Sequence, residues 1–395
     1  MKYLVLLGDG MADRPVKELQ DSTPLERAKK PHIDALAQKA VQYGTVQTVP
    51  KGFKPGSDVA NLSAMGYRPE EYYSGRSPLE ALSIGIKMAD SDVAIRCNLV
   101  TIAADTMVDY SAGEITTAES NELISSVAAA LNDSVVQFYA GVSYRHCLIV
   151  KNGTLATDLT PPHDITGRKI AEYMPKGEGA EQYMALMAKA KAILSTHPVN
   201  LKRIAEGKNP ATDVWFWGAG SKPKLDSFKS KYGVSGAVIS AVDLLKGIAI
   251  GAEMQAPDVM GATGTIHTNY KGKVQAVIDC YKSGVEYVYL HVEAPDECGH
   301  QGDICGKVSA IEMLDTMLAG ILEYLVNCGE DYVIAVLPDH YTPLCIRTHS
   351  SEPVPYLVYK SFNEGVGIPT YTEKNVACGV ALNEGVDIIK IMLER

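Results

Sequence analysis

Residues 287–302 read Tyr-Val-Tyr-Leu-His-Val-Glu-Ala-Pro-Asp-Glu-Cys-Gly-His-Gln-Gly. An apolar run stops at Pro295 and gives way to Asp296 and His300. A short apolar run that ends in Pro/Gly punctuation is a buried strand delivering a loop at its carboxyl end, where open α/β sheets place their chemistry. A spacing of four lets a carboxylate oxygen and an imidazole nitrogen converge on one cation if the segment turns helically, and both groups ligate Zn²⁺ or Mn²⁺. Alone, such a pair reads more simply as a loop carboxylate and a surface imidazole. The pattern recurs, however. A second apolar run, 333–337, ends in Pro338-Asp339-His340, and His349 follows within Thr-His-Ser-Ser-Glu-Pro-Val-Pro. A third, 2–7, has the uninterrupted apolar character of a central parallel strand and breaks at Gly8-Asp9-Gly10, which puts Asp9 at a strand end as well.

The chain has 395 residues, 46% of them apolar, enough for a folded protein of two domains. Its net charge of −10 and pI near 5.4 offer no electrostatic footprint for nucleic acid or an anionic membrane. An anionic substrate must therefore be met by local Arg, Lys or metal. Cysteines at 97, 147, 280, 298, 305, 328, 345 and 378 form no C-x-x-C pair, the pattern of reduced thiols in a cytoplasmic protein. Cys298, between Asp296 and His300, is either a soft ligand or a packing residue. The apolar run 3–7 is too short for a signal peptide, and no stretch is long enough to span a membrane.

Elsewhere helices and strands alternate as in an α/β sheet. Helical spacing occupies 23–26, 31–40, 241–252, 271–283, 308–325 and 384–394, while 214–218 and 237–240 read as strands. Ser57 follows Pro55-Gly56 ahead of a small-residue helix, so it is either an N-cap or an exposed nucleophile activated by a metal, because no Gly-x-Ser-x-Gly elbow is present. From about residue 92 the character changes: strands at 93–102, 106–110, 135–140 and 144–150 surround a helix at 118–131, an α+β insert carrying Arg96, Arg145, His163 and Arg168. The helix at 182–194 reads as a return to the main domain. No stretch matches a P-loop or a dinucleotide fingerprint.

Leu-Gly-Asp-Gly at 7–10, Pro-Gly-Ser-Asp at 55–58, Tyr-Tyr-Ser-Gly-Arg-Ser-Pro-Leu-Glu-Ala at 72–81, Asp-Glu-Cys-Gly-His at 296–300, Asp339-His340 and His-Ser-Ser-Glu-Pro-Val-Pro at 349–355 together resemble the archaeal-type cofactor-independent phosphoglycerate mutases, within the alkaline-phosphatase-like metalloenzymes. The resemblance implies an α/β core, residues 1–91 and 174–395, with a central mostly parallel sheet flanked by helices. It also implies an inserted α+β lid at 92–173. It assigns Asp9, Ser57, Asp339 and His340 to one divalent metal and Asp296, His300 and His349 to a second, Mn²⁺ ahead of Zn²⁺ or Mg²⁺. Ser57 becomes the nucleophile, and Arg96, His163, Arg145 and Arg168 become candidates for binding a small phosphorylated acid. The implied reaction interconverts 3-phosphoglycerate and 2-phosphoglycerate through a phosphoserine, with no 2,3-bisphosphoglycerate, nucleic acid or membrane partner. The stretches 262–270 and 293–297 also resemble a bacterial subgroup proposed to phosphorylate homoserine, which leaves a homoserine kinase as the alternative. Oligomeric state is not set by any of these features.

Overall fold

In the computed structural model, which describes residues 1–394, the chain divides into two compact units: Met1–Tyr73 with Lys224–Arg395, and Ser74–Pro223. The first is built on a seven-stranded sheet of β1 (Lys2–Gly8), β2 (Gln42–Val46), β3 (Gly236–Ile239), β4 (Tyr287–Val292), β5 (Tyr332–Leu337), β6 (Val354–Lys360) and β7 (Val380–Leu382). The order is β3-β4-β1-β5-β6-β2-β7. Strands β3, β4, β1 and β5 run parallel, β6 is antiparallel to both neighbours, and β7 is parallel to β2. Every residue of β1, β4 and β5 is buried, as expected of central strands covered on both faces.

Parallel register then fixes where the chemistry emerges. Leu7 lies level with both His291 and Leu337, so β1, β4 and β5 end together, and β3 joins them because Ile239 is level with Leu290. Three helices matter at this edge: α1 (Ser57–Ala64), α2 (Ala294–Gln301) and α3 (Ile304–Asn327). The buried face of α3, including Ile311, Leu314 and Leu318, shares a core with Leu4, Leu6, Leu290 and Val336 of the sheet. Pro295 in the first turn and Gly302 in the left-handed region after the last keep α2 to eight residues. Asp296 and His300 are thus one helical turn apart, as the spacing predicts.

The second unit centres on an antiparallel sheet in which Val93–Ala103 pairs with Arg145–Val150 and with Asp213–Ser221. This corrects the boundaries expected from sequence: the insert is not 92–173 but 74–223. Asp213–Ser221 belongs to it because its ladder partner is Val93–Ala103, and the helix Ala180–Ser195 belongs to it because Tyr183, Leu186, Met187 and Leu194 share the unit's core with Phe216 and Leu99.

Candidate metal centre

The ends of β1 and β5 bring Asp9, Asp339 and His340 together, buried, with one donor atom from each within 4.8 Å of the others. His340 Nε2 is 3.6 Å from Asp9 Oδ1 and 3.4 Å from Asp339 Oδ2. Ser57 Oγ lies 3.2 Å from the same nitrogen. Gly56 takes the N-cap position of α1 and Ser57 is its first helical residue, making no capping bond, so the capping alternative for Ser57 does not hold. The sequence missed Asn61, one turn further along α1. Its amide donates to the Ser57 carbonyl at 2.9 Å and to Asp339 Oδ2 at 2.7 Å, while its own oxygen accepts from the Tyr289 hydroxyl at 2.8 Å. An Asn four residues after a candidate nucleophile was the available signal.

The second set comprises Asp296 and His300 of α2 with His349. His300 Nε2 is 3.2 Å from Asp296 Oδ2, His349 Nε2 is 3.4 Å from Asp296 Oδ1, and the two imidazole Nε2 atoms are 2.9 Å apart. The Nδ1–H of His300 donates to the Arg347 carbonyl at 3.0 Å, which points Nε2 into the cluster. Cys298 is on α2 but in neither set.

These donor sets fit divalent cations. Burial pushes the Asp9 carboxyl well above the usual range, and the nearby Asp339 and Asp296 charges push the same way. Asp9 Oδ1 is buried and accepts no hydrogen bond among the described residues, while Oδ2 faces His291 Nε2 at 2.9 Å. Buried like charges with a spare oxygen require a positive partner, and mixed carboxylate and imidazole donors are those of Mn²⁺ or Zn²⁺. Burial lowers the His340 pKa and so favours the neutral, ligating ring. At the second set burial works to raise the Asp296 pKa, but hydrogen bonds from His300 and His349 outweigh it and hold the carboxyl low. The bond to Asp296 raises His300 to about 9.

The substrate candidates sit in the second unit. Arg96 forms a bidentate pair with Glu80, at 2.8 and 2.6 Å, and its guanidinium lies 4.3 Å over the Trp217 ring. The His163 ring packs against Trp217 at 5.1 Å and against Tyr110 at 6.1 Å; Tyr110 in turn meets Tyr144, over which Arg145 lies at 5.0 Å. Arg96, Arg145 and His163 therefore share one aromatic face. Arg168 is exposed and bonds the Tyr173 hydroxyl at 3.3 Å, apart from those aromatic contacts. The sequence also missed Arg76, which shares Glu80 with Arg96 at 2.8 Å. Its position four residues before Glu80 on one helix was the readable cue.

A family profile described as 2,3-bisphosphoglycerate-independent phosphoglycerate mutase matches residues 37–200. A protein of Geobacter sulfurreducens, named a probable 2,3-bisphosphoglycerate-independent phosphoglycerate mutase, is 46% identical over 100% of both chains, and a Methanosarcina mazei protein named as the same mutase is 47% identical over 100% of both. Among solved structures, the PH0037 protein of Pyrococcus horikoshii superposes with a TM-score of 0.85 at 29% identity, covering 99% of this chain and 96% of that one. The cofactor-independent phosphoglycerate mutase of Thermoplasma acidophilum gives 0.69 at 25% identity, covering 100% and 99%. The architecture is accordingly alkaline-phosphatase-like with an inserted domain. With full-length relatives at this identity, the chain belongs to the 2,3-bisphosphoglycerate-independent phosphoglycerate mutase family.

Proposed function

We propose that the protein interconverts 3-phosphoglycerate and 2-phosphoglycerate through a phosphoserine at Ser57, without 2,3-bisphosphoglycerate. The observation that carries this reading is Ser57 Oγ at 3.2 Å from His340 Nε2, on the edge of a carboxylate and imidazole cluster. Asp9, Asp339 and His340, with Ser57, would hold one divalent cation, and Asp296, His300 and His349 a second. Mn²⁺ is preferred, because imidazole donors are softer than Mg²⁺ favours. When bound, such ions supply charge stabilisation for the attacking and leaving oxygens of an in-line phosphoryl displacement.

The chain's own part begins with Ser57. Its Oγ attacks phosphorus as the bond to the C3 oxygen of glycerate breaks, and the proton that Ser57 gives up is balanced by one gained at the departing oxygen. The C2 hydroxyl of the retained glycerate then attacks the phosphoserine and restores the Ser57 hydroxyl, so the sum is an isomerisation. Asn61 fixes the nucleophile's backbone to Asp339 throughout. Retention of glycerate matters, because water reaching the phosphoserine would make the protein a phosphatase. The face carrying Arg96, Arg145 and His163 is suited to holding the carboxylate of a small phosphorylated acid; Arg168, exposed and bonded to Tyr173, is left out of that role. The free cysteines fit a reducing compartment, and we place the reaction in the cytoplasm.

The test is an assay of Mn²⁺-loaded protein with 3-phosphoglycerate beside one with homoserine and ATP, each quenched for mass spectrometry. The expected result is 2-phosphoglycerate and a phosphate on Ser57. Turnover of homoserine and ATP with none of 3-phosphoglycerate would replace the mutase reading by the kinase one.

A further inference from the structure

We infer that the Thr342 hydroxyl is a directional bridge coupling the two ligand sets, so that occupation of the buried set orients the other; this rests on the reading of both sets as cation sites. Thr342 is fully buried, and its one hydroxyl reaches a ligand of each set. It donates to Asp296 Oδ1, and it lies 3.3 Å from His340 Nδ1.

Donor counting gives the bridge its direction. A hydroxyl has one hydrogen to give and two lone pairs to receive with, whereas an ionised carboxylate only receives. His340 turns Nε2 toward Asp9, Asp339 and Ser57, and Nδ1 toward Thr342. If Nε2 gives its lone pair to a cation, the proton of the neutral ring must sit on Nδ1, which then donates to Thr342. The Thr342 hydrogen is left with a single acceptor, Asp296 Oδ1. If the proton sits on Nε2 instead, Nδ1 and Asp296 compete for that hydrogen. Filling the buried set therefore locks the hydroxyl onto Oδ1 and leaves Oδ2, which faces His300 Nε2 at 3.2 Å, free for the second set.

The bridge cannot move out of the way. The Thr342 carbonyl accepts from the buried Lys307 ammonium at 2.8 Å, which is pinned in turn by Asp13 at 2.6 Å. Glycines flank it closely: a Cβ on Gly299 would stand 2.7 Å from the Thr342 carbonyl oxygen, and one on Gly10, whose φ is +58°, would overlap the hydroxyl. A side chain kept only for packing would tolerate Val in its place.

Mn²⁺ titrations of the full chain, followed by calorimetry and by the free-ion signal in electron paramagnetic resonance, decide the matter. Wild type is expected to take up two ions with positive coupling. Thr342→Val, which keeps the shape and loses the hydroxyl, should still bind two but without coupling, the weaker site losing about tenfold in affinity. Thr342→Ser should restore the wild-type isotherm. A Val variant that titrates like wild type, or a Ser variant as defective as Val, would overturn the bridge. Wild-type protein that binds fewer than two ions would overturn the two-cation reading itself. If circular dichroism shows Thr342→Val unfolded, Thr342→Ala is judged by the same criteria.

Discussion

Asp9, Asp339 and His340 are at most 1% exposed, whereas the side chains of His300 and His349 keep 36% and 22% of their surface in solvent. The first set is fixed from several directions. Asp339 Oδ1 accepts from the backbone of Gly10 and of His340, its Oδ2 accepts from Asn61, and Asp9 faces His291, whose other ring nitrogen is 3.2 Å from Ser240 at the end of β3. The second set leans on the short helix α2, on the Arg347 carbonyl, and on the His349 ring stacked 3.9 Å from His340. Mixed carboxylate and imidazole donors thus come in two mechanical forms, one belonging to the sheet and one laid over it. The buried form can carry its charges only with a cation; the open form can pair them internally, His300 with Asp296.

The largest effect that separates the two belongs to Ser57, which meets the buried set at His340. Ser57→Ala should lower turnover by at least about 10³-fold, as loss of a nucleophile does. The Mn²⁺ count should stay at two, because the carboxylate and imidazole donors remain. Wild-type turnover in this variant, or phosphate on another residue of the quenched wild type, would sink the assignment. Metal removal tests the comparison more directly. A chelator added to loaded protein should strip metal in two resolved phases, the fast one from the open set, with activity already lost in the fast phase. Release in one phase would mean that burial does not distinguish the sets.

In metal-free protein the same contrast should appear as stability. His340→Ala empties a fully buried position and is expected to cost about 2–4 kcal/mol, whereas His349→Ala should stay within about 1 kcal/mol. Denaturant midpoints of both variants at matched slope give the comparison, and equal losses would break it.

The strand ends were legible because the central strands are continuous apolar runs with abrupt breaks: Gly8-Asp9-Gly10 and Pro338-Asp339-His340 announce where a buried strand stops, and Pro295-Asp296 follows the end of β4 in the first turn of α2. The boundaries of the second unit were not. One partner of Val93–Ala103 is Asp213–Ser221, more than a hundred residues on, and such a pairing leaves no local mark at either strand. Bridging polar groups were equally hidden. Asn61 and Thr342 look like ordinary helix and turn residues until distant chain segments meet them, whereas His291, polar within an otherwise apolar strand, carries a local cue. Nothing local distinguishes Arg96, stacked on Trp217, from Arg168, which lies on the surface with Tyr173.

The smallest effect concerns the segment that follows Asp9. Its Asp13 amide donates to Glu373 at 3.1 Å, and the other Glu373 oxygen accepts from the Thr23 hydroxyl at 2.7 Å, so this carboxyl helps to anchor the buried set from outside it. Burial raises the Glu373 pKa from 4.5 to about 7. The folded protein therefore binds more protons than the unfolded chain between those values. By linkage, this group's stabilisation is complete below its unfolded pKa and is lost as pH rises through about 7. Glu373→Gln keeps an acceptor for the Asp13 amide and abolishes the titration. In metal-free protein, wild type and variant should have similar stability at about pH 5, and the variant should be ahead by up to about 2 kcal/mol at about pH 8, a figure reduced for the carboxyl's partial exposure. Denaturant unfolding at a series of pH values would show the two curves diverging upward through neutrality. Parallel curves would mean that the Glu373 carboxyl does not titrate above the ordinary carboxylate range in the folded protein, and that burial does not set its charge state.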